Sequence, residues 1–227
     1  MRIGVIAAMS KECRLIENLL TDKKNTHGTL YEHTHGILGR NEVCLMQSGI
    51  GKVNAAIGTE EMIREFHPDC IINSGVAGGL VSSLNRTDIV VGEKTAYHDV
   101  WCGEGDWGQV QGLPPFFEGD RSLIERIMQT ENRLRIRKGL ICTGDQFITN
   151  NETLKEIKRH FHDALAVDME AAAIAQVCYL HHMPMLSIRI ISDVPGSQTD
   201  QIDDYNQFFA QLSEQSFSVL KKLFEIL

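Results

Sequence analysis

Short continuous apolar runs, each closed by Gly, Asp or Asn, recur along the chain. They are "RIGVIAAM" (2–9), "EVCLMQSG" (42–49), "DCIINSGVAGG" (69–79), "DIVVGEKTAYH" (88–98), "GLICTGDQFIT" (139–149), "ALAVDM" (164–169) and "MLSIRIISDV" (185–194). Apolarity without a two-residue alternation predicts strands covered on both faces. Between them lie segments of helical period at 10–20, 52–66, 120–131, 152–161, 170–182 and 203–226. "TLYEHTHGILGRNEV" lacks that period and predicts an antiparallel hairpin near residues 29–46. Alternating strands and helices, with no repeat, low-complexity stretch or linker, predict a single α/β domain over 1–227 with a mostly parallel or mixed sheet.

In open α/β sheets, ligands bind beyond the carboxyl ends of the strands. Here five of those ends carry unusual residues. The first strand is followed by Glu12; another closes on "SGVAGG"; "ICTGDQFI" breaks at Gly144-Asp145; "AVDME" ends in acids; "RIISD" ends at Asp193. Glu12 precedes Leu15 and Ile16 by three and four residues, so it shares their inward face; it is either a functional acid or a first-turn acid favoured by the helix dipole. Ser10 is its expected N-cap. Glu170 opens a stripe continued by Ala173, Ile174 and Val177 and is either a ligand clamp or a buried acid paired to a structural arginine. Arg189 and Asp193 share a face if their strand stays regular, and Ser192 can hydrogen-bond that acid; Asp193 is either functional or a cap. The glycines of "SGVAGGL" let backbone N–H groups approach a ligand, although neither phosphate-loop spacing is matched. Lys52 reads as a solvated helix-start lysine, and Phe147 as core or as a platform for a base.

Composition narrows the partners. A net charge of −8 and a pI near 5.6 argue against nucleic acid or an anionic membrane as the main partner. No apolar run reaches the ~18 residues of a membrane span, and the N-terminus reads as a strand, which suggests a cytoplasmic protein. Six cysteines without a CxxC predict reduced core thiols. Neither they nor the nine histidines show metal-site spacing, so no metal and no cofactor is expected.

Taken in order, "IGVIAAMSKE", "SGIGKVNAA", "INSGVAGGL", "DIVVGE", "YHD", "TGDQFI", "AVDMEAAAIAQVC" and "RIISD" resemble the 5′-methylthioadenosine/S-adenosylhomocysteine nucleosidase family of the purine nucleoside phosphorylase-like superfamily. The resemblance implies a three-layer α/β/α fold with a mixed, partly barrel-like sheet. It implies hydrolysis of the N-glycosidic bond of an adenine nucleoside, in methionine salvage. Glu12 would activate the water, and Asp193, oriented by Ser192, would protonate adenine N7. Glu170 would hold the ribose hydroxyls over Met169. Phe147 would stack on adenine and the Ile148 backbone would read its edge. Arg189 would lie near the water and Glu12, and Val76, Ala77 and Gly78 beside the ligand. Met9 and Ile50 would line the sugar and 5′ pocket, which Tyr205 or Phe208 would cover. Loop 98–117 would reach the neighbouring site of a homodimer. Val76 stands where many relatives have Ser, and Asp168 where Glu is commoner; Asp168 is read as support. A futalosine-type nucleosidase, a phosphate-dependent phosphorylase and a non-catalytic nucleoside binder are the alternatives.

Overall fold

A computed structural model describes residues 1–129, 135–194, 221–222 and 224–226. The N-terminal half of the described chain runs β1 (Arg2–Ala7), α1 (Ser10–Glu17), β2 (Thr21–His27), β3 (Glu32–Leu38), β4 (Asn41–Gln47), α2 (Lys52–Phe66) and β5 (Cys70–Gly79). Then come β6 (Ile89–Tyr97), β7 (Phe117–Glu118), α3 (Arg121–Met128), β8 (Ile136–Thr143), α4 (Asn151–His160), β9 (Ala164–Asp168), α5 (Ala171–Leu180) and β10 (Met185–Asp193). All seven apolar runs hold a strand, and α2 has the bounds its periodicity predicts. The expected hairpin is β3–β4. The 203–226 segment lies almost wholly outside the described residues.

The strands form one mixed sheet in the order β10-β6-β8-β9-β5-β1-β4-β3-β2, and β10 also pairs with β5. That extra pairing closes β10, β6, β8, β9 and β5 into a five-stranded barrel, from which β1, β4, β3 and β2 extend as an open wing. Closure explains the continuous apolarity of the runs. Every residue of β9 and β10 is buried, because inward chains fill the barrel while outward ones meet helices or loops. β5 and β9 pair antiparallel at only two positions, Gly78 opposite Val167 and Gly79 opposite Ala166, towards the carboxyl end of each strand. The two carboxyl ends therefore meet tip to tip, and the polar residues that close each strand come together.

Besides β3 of the expected hairpin, two strands lie outside the apolar runs. β2 is "TDKKNTH", almost entirely exposed, and it is an end strand of the sheet order; charges on an edge discourage pairing with another chain. β7 is only two residues long. Four cysteines are buried as expected, Cys13 is partly buried, and Cys102 is exposed; all six are free thiols. No helix among the described residues is long and apolar enough to cross a membrane.

Candidate active site

A cavity of about 520 Å³ opens where the ends of β1, β5, β8, β9 and β10 converge. Twelve of the fourteen expected site residues line it: Met9, Glu12, Ile50, Val76, Ala77, Gly78, Phe147, Ile148, Met169, Glu170, Ser192 and Asp193. Tyr205, like Phe208, lies outside the described residues. Arg189 lies beside Glu12 as expected, but behind the cavity wall instead of on it.

Glu12 is positioned from three sides. Met9, not Ser10, caps α1, and the Glu12 side chain folds back to accept hydrogen bonds from the Ala8 and Met9 N–H groups at 3.1 and 3.0 Å. Val76 N–H donates to its other oxygen at 3.0 Å. The neighbouring Gly75 is needed here: a Cβ on it would stand 2.9 Å from Glu12 Oε1. Glu12 is 2 % exposed. Burial raises its pKa, against the pull of the Arg189 charge and the three N–H donors. Sequence leaves that contest between burial and charge open; in the fold, burial wins.

The two acids of "AVDME" divide the work. Asp168, not Glu170, takes the arginine. Asp168 Oδ2 accepts from Arg189 Nε at 2.9 Å and Nη2 at 2.5 Å, and from Ala171 N–H at 3.0 Å. Its Oδ1 accepts from Thr143 Oγ1, which in turn accepts from Ala172 N–H. Asp168 and Thr143 thus satisfy the first N–H groups of α5. Glu170, although it occupies the N-cap, makes no side-chain cap bond, and its carboxylate is left to the cavity. There it accepts from Gly51 N–H at 3.0 Å. Gly51 starts α2 at φ +96°, a backbone conformation that suits glycine.

Arg189 is 1 % exposed and is absent from the cavity wall. Besides Asp168 it bonds Asn73 Oδ1 and the carbonyls of Asn73 and Ile188. It still bears on Glu12 by charge. The expectation that it shares a face with Asp193 fails because the β10–β5 register shifts between Ile191 and Asp193. Such an irregularity re-aims a side chain. Asp193 consequently stands opposite Gly78, where an added Cβ would press on its carboxylate at 3.3 Å. Ser192 Oγ donates to Asp193 Oδ1 at 2.6 Å.

Phe147 is 44 % exposed and sits in the loop after β8 rather than in the core. That loop has a brace that the sequence reading missed. Lys52 Nζ bonds both oxygens of Asp99 at 2.8 and 2.7 Å, Asp99 Oδ2 accepts from Asp145 N–H, and Asp145 Oδ1 accepts from Lys52 N–H. Lys52 is therefore an anchored residue, not a solvated one. The "YHD" motif was the available signal, since it places Asp99 just beyond a strand end.

Two expected outcomes follow from this geometry. Asp168→Ala leaves the Arg189 guanidinium buried without its counter-ion and removes a cap from α5. Loss of one partner from a buried pair costs about 3–5 kcal/mol. Urea unfolding should show a loss of that size; a loss under about 1 kcal/mol, the scale of an exposed pair, would mean the pair is not structural. Glu170 gives a pH signature. Burial, helped by the Asp168 charge, pushes its pKa up to about 7 against the pull of Arg189 and Gly51 N–H. The folded state keeps this proton to higher pH than the unfolded chain does. Between pH 4.5 and 7, rising pH therefore costs stability through this group. Glu170→Gln should raise the melting temperature relative to wild type above pH 7, by the equivalent of roughly 1–3 kcal/mol, and give no such gain near pH 4.5. A pH-independent difference would place the raised pKa elsewhere.

The phosphorylase superfamily model matches residues 2–225. The 5′-methylthioadenosine/S-adenosylhomocysteine nucleosidase of Bacillus cereus (strain G9842) is 38% identical over 230 residues, covering 99% of both chains. The crystal structure of the Neisseria meningitidis enzyme of that name, in complex with methylthio-immucillin-A, superposes with a TM-score of 0.92 at 36% identity, over 100% of this chain and 99% of the other. Futalosine hydrolase of Helicobacter pylori superposes at 0.91 with 27% identity, over 100% and 98%. By sequence and by structure, the chain belongs to the phosphorylase superfamily and, within it, to the 5′-methylthioadenosine/S-adenosylhomocysteine nucleosidase family.

Proposed function

We propose that the cavity hydrolyses the N-glycosidic bond of 5′-methylthioadenosine and S-adenosylhomocysteine, releasing adenine. The observation that carries this reading is the charge of the wall: Glu12, Glu170 and Asp193 face one cavity, and among the described residues no basic side chain lines it. Cleavage builds positive charge on the ribosyl group, which carboxylates stabilise. A phosphate dianion would be repelled, so water is the nucleophile.

Glu12, its pKa raised by burial, takes a proton from water as the oxygen bonds the anomeric carbon. Asp193, steadied by Ser192, gives a proton to adenine N7 as the carbon–nitrogen bond breaks. Adenine thus leaves neutral. Glu170 accepts hydrogen bonds from the ribose hydroxyls, with Met169 beneath the sugar. Phe147 stacks on the base and the Ile148 backbone reads its edge. Val76, Ala77 and Gly78 pass beside the ligand, and Met9 and Ile50 line the way to the 5′ group. Arg189 acts at one remove, holding Asp168 and biasing Glu12. The enzyme works in the cytoplasm, in methionine salvage, as a homodimer to whose neighbouring site loop 98–117 contributes. Supporting that assembly, Val53 and Ile57 leave an apolar stripe on α2 that is 68 % and 42 % exposed.

Aminodeoxyfutalosine shares the adenine and ribose, and the full-length likeness to futalosine hydrolase makes it the second substrate class. Adenine release from all three nucleosides, with and without phosphate, tests the reading. Phosphate-independent release from the two thio-nucleosides is expected. Release only with phosphate, accompanied by a ribose-1-phosphate product, would overturn it.

A further inference from the structure

A second hollow, of about 370 Å³, shares no lining residue with the carboxylate cavity. It lies between the turn at residues 28–31 and α2, and Glu61 and Glu65 belong to its wall. These two acids stand one helical turn apart on the same face of α2. The turn fixes both. Glu61 accepts from Leu30 N–H at 2.8 Å and Tyr31 N–H at 3.0 Å. Glu65 Oε1 accepts from Thr29 N–H at 3.0 Å and from the Thr29 hydroxyl.

β3 brings a third group to the same place. His33 is 3 % exposed, and its Nε2 lies 3.3 Å from Glu61 Oε1. Among the described residues that buried nitrogen makes no hydrogen bond. Leaving a buried polar atom unsatisfied costs about 1–3 kcal/mol, so the atom is poised for a partner. The ligand atoms of His33, Glu61 and Glu65 lie within 4.8 Å of one another. A tetrahedral cation with bonds of about 2.0–2.2 Å holds neighbouring ligand atoms about 3.3 Å apart, which is the His33–Glu61 separation. Gly28 makes the approach possible, since a Cβ there would come under 3.0 Å from all three side chains.

We infer that His33, Glu61 and Glu65 form a binding site for one divalent transition-metal ion of the zinc type. Exposed Glu65 marks the side open to solvent. One imidazole with two carboxylates suits such an ion and balances its charge. The backbone N–H bonds to both carboxylates are the outer contacts that hold metal ligands in place. A second grouping, His33 with His35 and Cys44, is equally close. It is the poorer site, because His35 Nε2 is engaged with Thr26 Oγ1 and Cys44 lies in an apolar core. Composition does not reveal the site: its ligands are spread over residues 33–65 and include no cysteine.

The test is calorimetric titration of Zn²⁺ into metal-free wild-type enzyme. Co²⁺ absorption serves as a geometry probe and Ca²⁺ as a control. The expected result is saturable 1:1 binding of Zn²⁺, the visible bands of four-coordinate Co²⁺, no Ca²⁺ uptake and a higher melting temperature with Zn²⁺. Glu65→Gln changes an exposed side chain and keeps an oxygen for Thr29. It should weaken Zn²⁺ by about tenfold or more and leave adenine release unchanged. His33→Gln should do the same; if it does not fold, Glu65→Gln alone decides. Three results would overturn the site: no saturable binding, undiminished affinity in Glu65→Gln, or binding lost only on replacing His181, which pairs with Glu60 on the surface.

Discussion

Asp193→Asn should lower kcat by about 10²–10⁴-fold, the range of general acid help, with the melting temperature nearly unchanged. The side chain closes β10 at 6 % exposure. Its place is set by the register shift after Ile191 and by the missing Cβ of Gly78. Asparagine has the same size and retains an oxygen to accept the 2.6 Å bond from Ser192, so little in the packing changes. It has no proton to give. Adenine would then have to depart with its charge uncompensated, which is the difficult half of the reaction. Adenine release by the variant, beside a thermal melt, reads both parts. Retention of more than about a tenth of wild-type kcat, well short of that range, would remove Asp193 from the acid role. A large drop in melting temperature would instead assign it to structure.

The barrel strands were legible because closure buries both of their faces, and burial on both faces writes itself as unbroken apolarity. β2 was not, since an edge strand facing water needs no apolar residue. The convergence of carboxylates was legible for a related reason: an acid at the end of an apolar run breaks the pattern. What sequence left undecided was pairing. "AVDME" offers two acids and "RIISD" one arginine. Which acid takes the arginine depends on how β9, β5 and β10 meet. Asp168 wins because it can also serve the N–H group of Ala171, and that frees Glu170. Phe147 shows the same limit. The break expected at Gly144-Asp145 is where β8 ends, at Thr143, but that break does not say whether Phe147 returns to the core. The Asp145–Lys52–Asp99 brace then holds the chain as a loop, so an aromatic that reads as core becomes exposed. Tyr205 and Phe208, expected to cover the 5′ group, fall outside the described residues.

Glu12→Gln should cut hydrolysis by roughly 10²-fold or more, the scale of general base help, and added phosphate should not restore it. Glu12 is the acid whose ionisation is most contested. Burial raises its pKa, while Arg189 and the N–H groups of Val76, Met9 and Ala8 pull it down. A base poised nearer neutrality takes a proton from water more readily than an ordinary carboxylate does. Wild-type kcat/KM should therefore fall as pH drops through the raised value, because protonated Glu12 cannot act. The glutamine variant should lose the part of that dependence that belongs to Glu12 and keep the part that Glu170 contributes. The substitution is not silent structurally. Glu12 accepts on both oxygens, from Ala8 and Met9 on one side and from Val76 on the other. A glutamine amide can accept on one side only, so one N–H set faces an NH₂ group, at a cost of about 1–3 kcal/mol. Binding of an adenosine-like transition-state mimic keeps the two effects apart. It depends on Phe147, Glu170 and Asp193, so a folded variant should still bind it while failing to turn over. Calorimetry and adenine release on one sample give all the readings. Full hydrolysis by the variant would end the water-activating role of Glu12. Recovery on adding phosphate, with ribose-1-phosphate formed, would make the enzyme a phosphorylase.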